Sequence, residues 1–158
     1  MDSLKIYIDR LKGGQILKID EALSPDFLEI DEKDLLFEAP VQLKGKAYLA
    51  NNEHLIIHLH IETTACIPCS ICNDLIQIPI IIKNIYLTKP IVEIKGALFD
   101  IIDEVRESIL LQTPPFTECN HGKCPERENL KQFLKPSQKK DTTDILHFPF
   151  ADKSFTFE

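Results

Sequence analysis

Alternating apolar and polar residues dominate the middle of the chain and predict strands that place one face on a hydrophobic core. In residues 41–49 every second position is apolar or small, and the positions between are mostly polar. The same period of two returns in residues 55–62, after the turn-forming Asn51-Asn52-Glu53, and again in residues 76–82. This order predicts an antiparallel meander, either open or partly closed into a barrel.

Shorter patterns flank the meander. Two alternating segments, Leu4–Ile8 and Gln15–Asp20, are joined around Gly13-Gly14 and predict a hairpin with a glycine turn. The run Ser24-Pro25-Asp26 predicts the start of a helix of one or two turns, with its serine as N-cap and its proline at the first position. Residues 91–94 predict one further strand.

The period of the apolar residues changes from two to that of a helix over residues 99–112. Its apolar stripe consists of Ile102, Val105 and Ile109. Asp100 is placed to cap the N-terminus, and Pro114 and Pro115 end the helix. A second, short helix is predicted over residues 125–134.

These elements predict a single α+β, β-rich domain over residues 1–135, because 158 residues suffice for one domain with its own core. Residues 136–158 are predicted to form a mobile tail, because most of them are polar. Apolar residues return at 148–151, a segment that we expect to dock on the domain.

Four of the five cysteines form two close pairs. These are Cys69 with Cys72 and Cys119 with Cys124. Zinc takes four deprotonated sulfur or nitrogen donors in a tetrahedron, and donors two to four residues apart let one turn supply two of them. If the pairs meet, they form a structural metal site that ties a cysteine-clasped C-terminal segment to the sheet. Cys66 permits a rival pairing with Cys69, and His121 is an alternative ligand.

Two other interpretations of the cysteines remain open. Buried thiols pack as small hydrophobes, and a Cys-x-x-Cys pair also serves thioredoxin-like redox enzymes. A redox pair usually opens a helix, whereas Cys72 here leads into Asn73-Asp74 and an isoleucine-rich strand. Phosphate-binding loops, dinucleotide-binding glycine patterns and nucleophile elbows are missing from the sequence. Because a four-cysteine zinc site also lacks an open position for water, we expect no enzyme and no small-molecule substrate.

The charge of the chain limits its partners. The net charge is −7, from 25 acidic and 18 basic residues, which disfavours broad binding to bare phosphate backbones. The first residues lack the basic and long apolar regions of a signal peptide, and no stretch approaches the ~18 apolar residues of a membrane span. We therefore expect a cytoplasmic protein with reduced cysteines and no membrane partner.

Local charge adds two candidate surfaces. Basic residues follow the second cysteine pair and predict an RNA-binding segment, although such runs often only add solubility. They are Lys123, Arg127, Lys131, Lys135, Lys139 and Lys140.

Acidic residues on the main helix predict a solvated face or a docking site for a basic partner. They are Asp103, Glu104 and Glu107. His58, His60 and Glu62 share one strand face and are expected to be solvated polar residues there, with metal ligation or a proton relay as the alternatives.

Three motifs in order carry a resemblance to a known family. They are Cys69-Ser-Ile-Cys72, the helix Phe99-Asp-Ile-Ile-Asp-Glu-Val-Arg-Glu-Ser-Ile-Leu-Leu-Gln-Thr-Pro, and Cys119-x4-Cys124-Pro125. With a final Pro149-Phe150-Ala151, they make the chain resemble the YceD family of large ribosomal RNA subunit accumulation proteins over most of its length. The chain departs from that pattern at Pro125-Glu126-Arg127, where members often carry a further cysteine pair.

The resemblance implies a non-enzymatic factor of a bacterium or plastid that large-subunit ribosomal RNA needs in order to accumulate. Such a factor acts in ribosome biogenesis, and we expect it to bind an assembly intermediate through RNA, a ribosomal protein or both. The resemblance also implies that Cys69, Cys72, Cys119 and Cys124 are the functional cysteines and that Cys66 is spare. The alternative from the residues is a protein-interaction adaptor with a structural zinc site and no RNA contact.

Overall fold

The structure is a computed structural model that describes residues 4–133, which form two antiparallel sheets and one main helix. The strands are β1 (Lys5–Tyr7), β2 (Leu17–Leu23), β3 (Leu36–Phe37), β4 (Val41–Ala50), β5 (His54–Pro68), β6 (Leu75–Pro90) and β7 (Leu98–Asp100). The helix α1 spans Ile102–Gln112, and 3₁₀ turns occupy Ile8–Leu11, Pro25–Leu28, Ile91–Glu93 and Lys95–Ala97. The β-rich α+β class predicted from the sequence is confirmed.

The long strand β5 is the centre of the main sheet. β4 pairs with its first half, the short β3 pairs with Ala65 and Cys66 on the same edge, and β6 pairs along the other edge. β2 lies outside β4 and pairs with it over its full length. The meander of β4, β5 and β6 is therefore confirmed. Within the described residues β2 and β6 remain the outer strands, so the sheet is open and not a closed barrel.

The core lies on one face of this sheet. Inward side chains of β4 and β5, among them Leu43 and Ile57, are fully buried, as the alternation predicts. Val105 and Ile109 of α1 cover them, together with the small β1–β7 sheet. The opposite face of the main sheet carries the polar half of the alternation.

The predicted N-terminal hairpin is wrong. β1 pairs with β7, with Ile6 opposite Phe99, whereas β2 pairs with β4. A 3₁₀ turn at Ile8–Leu11 follows β1 directly and buries two apolar side chains, so the chain leaves the strand before it reaches Gly13-Gly14. A period of two identifies a strand but does not identify its partner.

The main helix begins later than predicted, at Ile102. Phe99 and Asp100 belong to β7, because pairing with β1 keeps their backbone extended. Asp100 nevertheless satisfies a free amide of the first turn, since its Oδ1 accepts a hydrogen bond of 3.0 Å from the Ile102 N–H. The helix ends at Gln112, ahead of the two prolines.

Two local predictions differ from the structure in their detail. Residues 91–94 contain a 3₁₀ turn instead of a strand, because β6 already runs to Pro90 and the Ile91 N–H closes onto the Glu53 carbonyl oxygen at 2.8 Å. The helix start at Pro25 is limited to one 3₁₀ turn. Its Ser24 hydroxyl donates to the Asp26 carboxylate at 2.6 Å instead of capping a backbone N–H.

The chain divides into two compact units, Met1–Glu126 and Arg127–Glu158. The single domain expected over residues 1–135 stays a prediction. The described part of the second unit contains a short helix, Arg127–Lys131, within the range 125–134 in which a helix was expected. The predicted tail of residues 136–158, with its docking segment 148–151, lies outside the described residues. Within residues 4–133 no helix is long and apolar enough to cross a membrane.

Candidate metal centre

The first cysteine pair sits in the loop that joins β5 to β6. These strands continue beyond the edge of β4, and a small apolar cluster of Ala65, Ile67 and Ile80 packs on their outer half. The Cys69 N–H donates to the Asp74 carbonyl oxygen at 2.8 Å, which closes the loop at its base. The loop is therefore a tight turn that presents two sulfurs from the end of a long hairpin.

The second pair belongs to a reversal of the chain after α1. Residues 120–122 all have left-handed backbone angles, with φ values of 52°, 54° and 85° at Asn120, His121 and Gly122. This conformation costs non-glycine residues about 1–2 kcal/mol each, so a local stabilising contact is expected. The Lys123 N–H donates to the Cys119 carbonyl oxygen at 3.2 Å, and Glu118 Oε1 accepts from the Cys124 N–H at 2.8 Å.

The two loops meet through direct hydrogen bonds. The backbone N–H and the hydroxyl of Ser70 both donate to the Thr117 carbonyl oxygen at 2.8 Å. The Cys119 N–H also donates to Cys69 Sγ at 3.4 Å. Contacts between segments almost fifty residues apart in the sequence thus hold the cysteines together.

The four sulfurs of the two pairs lie within 4.8 Å of one another. The Sγ atoms of Cys72 and Cys119 are 3.9 Å apart, and all five cysteines are free thiols. A tetrahedral zinc ion with Zn–S bonds of about 2.3 Å needs sulfurs about 3.8 Å apart. The cluster therefore has the donor type and the number of a tetrathiolate metal site, and its sulfurs lie close enough to be compatible with one.

The backbone around Cys69 favours its thiolate. Burial raises the pKa of Cys69, but the N–H groups of Cys72, Cys119 and Ile71 point at its sulfur and lower that pKa to about 6. The Ile71 N–H···Sγ distance is 3.4 Å. A thiolate at Cys69 is the form that binds a metal.

The neighbouring thiols hold their protons more tightly. The N–H of Asp74 lowers the pKa of Cys72, but burial and hydrogen bonds with the sulfurs of Cys69 and Cys124 raise it to about 11. A hydrogen bond with Cys124, followed by burial, raises the pKa of Cys119 well above the ordinary value for a thiol. Without a metal ion, the thiols of Cys72 and Cys119 therefore keep their protons. A divalent metal would neutralise the thiolates that form when those protons leave.

The alternative ligands lie apart from this cluster. Cys66 is buried within β5, opposite Gln77, where burial and then the Glu38 carboxylate raise its thiol pKa. His121 is exposed on the left-handed turn. Among the described residues, the group of metal-ligating side chains that comes together consists of the four paired cysteines.

The predicted basic segment is divided by the boundary between the two units. Lys123 is exposed and directly precedes the buried Cys124. Arg127 and Lys131 belong to the second unit, where Lys131 Nζ forms an ion pair of 2.6 Å with Glu128. The remaining predicted RNA contacts lie outside the described residues. They are Lys135, Lys139 and Lys140.

The other candidate residues are partly engaged with each other. His60 Nε2 lies 2.8 Å from Glu62 Oε1, and this hydrogen bond lowers the pKa of the Glu62 carboxyl group. Glu104 of α1 forms an ion pair of 3.5 Å with Lys89. The exposed acidic residues that remain on the predicted acidic helix face are Asp103 and Glu107.

Sequence reasoning missed the groups that hold the two loops together. Ser70 and Thr117 bond across the cluster, but neither belongs to a pattern that predicts such a contact. The left-handed turn gives a weak signal, since Asn120 and Gly122 are residues that adopt positive φ readily.

Comparison of the chain with protein-family models, curated proteins and solved structures gave no match. The resemblance to the YceD family stays a prediction.

Proposed function

We propose that the protein is a non-enzymatic binding protein whose four paired cysteines hold a structural zinc ion. The observation that carries this proposal is the convergence of four sulfurs within 4.8 Å of one another. Zinc would fix the hairpin loop against the turn at Cys119–Gly122, so that the segment after α1 is held against the sheet. Four protein ligands close the coordination shell, which favours a structural role over a catalytic one.

Metal analysis of protein purified without oxygen tests the zinc site. We expect about one zinc ion per chain, and we expect the Cys72→Ser and Cys119→Ser variants to lose it. Cys66→Ser is the matched control, because this cysteine lies outside the cluster, and it should keep the metal. Equal zinc content in all three variants, or a folded wild-type protein without metal, would contradict the proposal.

The proposed role is in assembly of the large ribosomal subunit. The three motifs that resemble the YceD family include both cysteine pairs and α1, and the convergence of these pairs into one cluster supports treating the motifs as one functional unit. The protein would bind an assembly intermediate of large-subunit ribosomal RNA, a ribosomal protein or both. It would act in the cytoplasm of a bacterium or inside a plastid.

Deletion of the gene tests this role. We expect large-subunit ribosomal RNA to fall relative to small-subunit RNA, and the wild-type gene to restore the ratio. Purification of the tagged protein should recover large-subunit RNA or its precursor. An unchanged RNA ratio together with recovery of proteins unrelated to the ribosome would contradict the role.

The second candidate is a protein-interaction adaptor that does not touch RNA. It is supported by Asp103 and Glu107, which leave α1 with an exposed acidic surface for a basic partner. Ultraviolet crosslinking in cells distinguishes the two candidates. Protein adducts on α1 without RNA adducts anywhere in the chain would favour the adaptor.

A further inference from the structure

The outer face of the main sheet is open and carries a group of basic and polar side chains. β2, β4, β5 and β6 contribute them around a shallow cavity of about 580 Å³. They are Lys18, Lys44, Lys46, His58, His60 and Asn84. The inner face of the same strands is the hydrophobic core, so these residues are not needed to build it.

An aromatic row crosses three strands beside this cavity. The ring of His58 stacks on Tyr48 of β4 at a centroid distance of 6.0 Å and meets the edge of Tyr86 of β6 at 4.5 Å. Tyr86 is 55% exposed, so its ring is accessible on this face. Tyr86 lies opposite His58, whereas Tyr48 lies opposite Ile56, two residues further along the strand. Lys46 Nζ lies 5.9 Å from the centroid of the Tyr48 ring. Aromatic side chains on an open sheet face, beside cationic groups, suit stacking of unpaired bases.

A β-bulge adds side chains to the same face. The register between β5 and β6 shifts between Leu59 and Ile61, so Lys83 and Asn84 together lie opposite His60. Asn84 adopts a left-handed conformation, with φ of 60°. Bulges often re-aim side chains beside binding sites, and this one brings the Asn84 amide to the cavity and the Lys83 ammonium group near the Glu62 carboxylate.

Charge favours a phosphate-bearing partner on this face. The whole chain carries a net charge of −7, but the outer sheet face has an excess of positive charge, with four lysines and two carboxylates. The lysines are Lys18, Lys44, Lys46 and Lys83, and the carboxylates are Asp20 and Glu62. A duplex hides the faces of its bases, whereas a single strand offers both phosphates and unstacked bases.

We propose that this outer sheet face binds single-stranded RNA, with phosphates at Lys44 and Lys46 and bases stacked on Tyr48 and Tyr86. This inference rests on the proposed role in ribosome assembly for the identity of the RNA. It assigns RNA contact to the folded sheet, in addition to the basic segment that begins at Lys123.

Fluorescence anisotropy with a labelled single-stranded RNA of about twelve nucleotides tests the face directly. We expect the Lys44→Ala/Lys46→Ala variant to bind about tenfold more weakly. Its slope of log affinity against log salt should flatten by about 1.4, about 0.7 for each lost phosphate contact. We expect Tyr86→Ala to weaken binding by about tenfold with an unchanged slope, because it removes stacking and no charge.

The matched control is Lys33→Ala/Lys95→Ala, which removes the same charge from exposed residues elsewhere in the first unit. This control should keep its affinity within about twofold and keep its salt slope within error. A duplex of the same sequence should bind more weakly than the single strand. Equal losses in both double variants, or no preference for the single strand, would overturn the proposal.

Mapping of crosslinked RNA in cells separates this inference from the proposed role. Adducts on β4 or β6 peptides support the sheet face. If that RNA does not derive from the large subunit, the proposed role in ribosome assembly is contradicted, whereas RNA binding by the outer sheet face is still supported. Adducts confined to residues 123–140, or protein adducts alone, would overturn the face, and a lowered large-subunit RNA ratio would still support the role.

Discussion

At the scale of single residues, Gly45 shows how closely two strands approach each other beneath the outer face. A Cβ atom built at this position would lie 2.0 Å from the His58 carbonyl oxygen and 3.0 Å from Leu59 Cδ2. The nearest obstacle is backbone, which cannot rotate away as a flexible side chain can. Glycine is therefore required here by space, although strands usually disfavour it.

Gly45→Ala is expected to lower the free energy of unfolding by about 3 kcal/mol, because β4 must move away from β5 to relieve the overlap. Urea denaturation measures this change. Gly14→Ala is the matched control, since nothing lies within 4 Å of its added Cβ and only its φ of 78° is strained. This control should cost about 1–2 kcal/mol. A smaller loss at Gly45 than at Gly14 would show that the strands separate easily.

At the scale of elements, α1 is attached to the sheet by a narrow apolar stripe. Val105 and Ile109 are fully buried, whereas Leu110 and Leu111 on the following turn are exposed by 36% and 79%. The helix has 11 residues and would be marginal alone, so packing of this stripe must stabilise it. The charges on its outer side contribute little by comparison.

Ile109→Ala should lower the free energy of unfolding by about 2–5 kcal/mol, because it leaves a cavity between α1 and the sheet. Leu111→Ala removes a side chain of similar size from the exposed side of the same helix and should change stability by about 0.5 kcal/mol or less. Thermal or urea unfolding of both variants measures the difference. Similar losses of unfolding free energy in the two variants would mean that the apolar stripe is not the side of α1 that packs on the sheet.

The elements that the sequence predicts well are those whose stabilising contacts are local or repetitive. Alternation identifies β4, β5 and β6 and the outward direction of Lys44 and His58, because a pleated strand repeats every two residues. The pairing of β1 with β7 is different, since it depends on segments more than ninety residues apart. The bulge at Asn84 breaks the alternation of β6 without any glycine to signal it.

The candidate metal site follows the same division. Spacing within each cysteine pair is local, so the sequence predicts two cysteine pairs in turns, and the structure places both pairs in turns. Whether the pairs meet depends on how β6, β7 and α1 direct the chain back between Cys72 and Cys119, which are 47 positions apart in the sequence. The contact of Ser70 with Thr117 becomes visible only when the chain is folded.

At the scale of the whole molecule, the cysteine cluster and the main core are separate sources of stability within the first unit. The core gathers on the inner face of β4 and β5, whereas the cluster lies at the end of the β5–β6 hairpin beyond the reach of β4. Removal of the proposed zinc ion should therefore loosen the two cysteine loops and leave the sheet folded. This expectation differs from that for a zinc finger, which has no other core.

Hydrogen exchange before and after treatment with a strong chelator under reducing conditions tests this expectation. The amides of Ser70 and Cys119 should exchange at least about tenfold faster once the metal is gone, because their partners lie across the cluster. The amide of Ile57, in the centre of the sheet, should keep its protection. Cys66→Ala, with its metal site intact, should respond to the chelator as the wild type does. Loss of protection at Ile57 as well would mean that the metal supports the whole fold, and unchanged protection at both loops would mean that the sulfurs bind no metal.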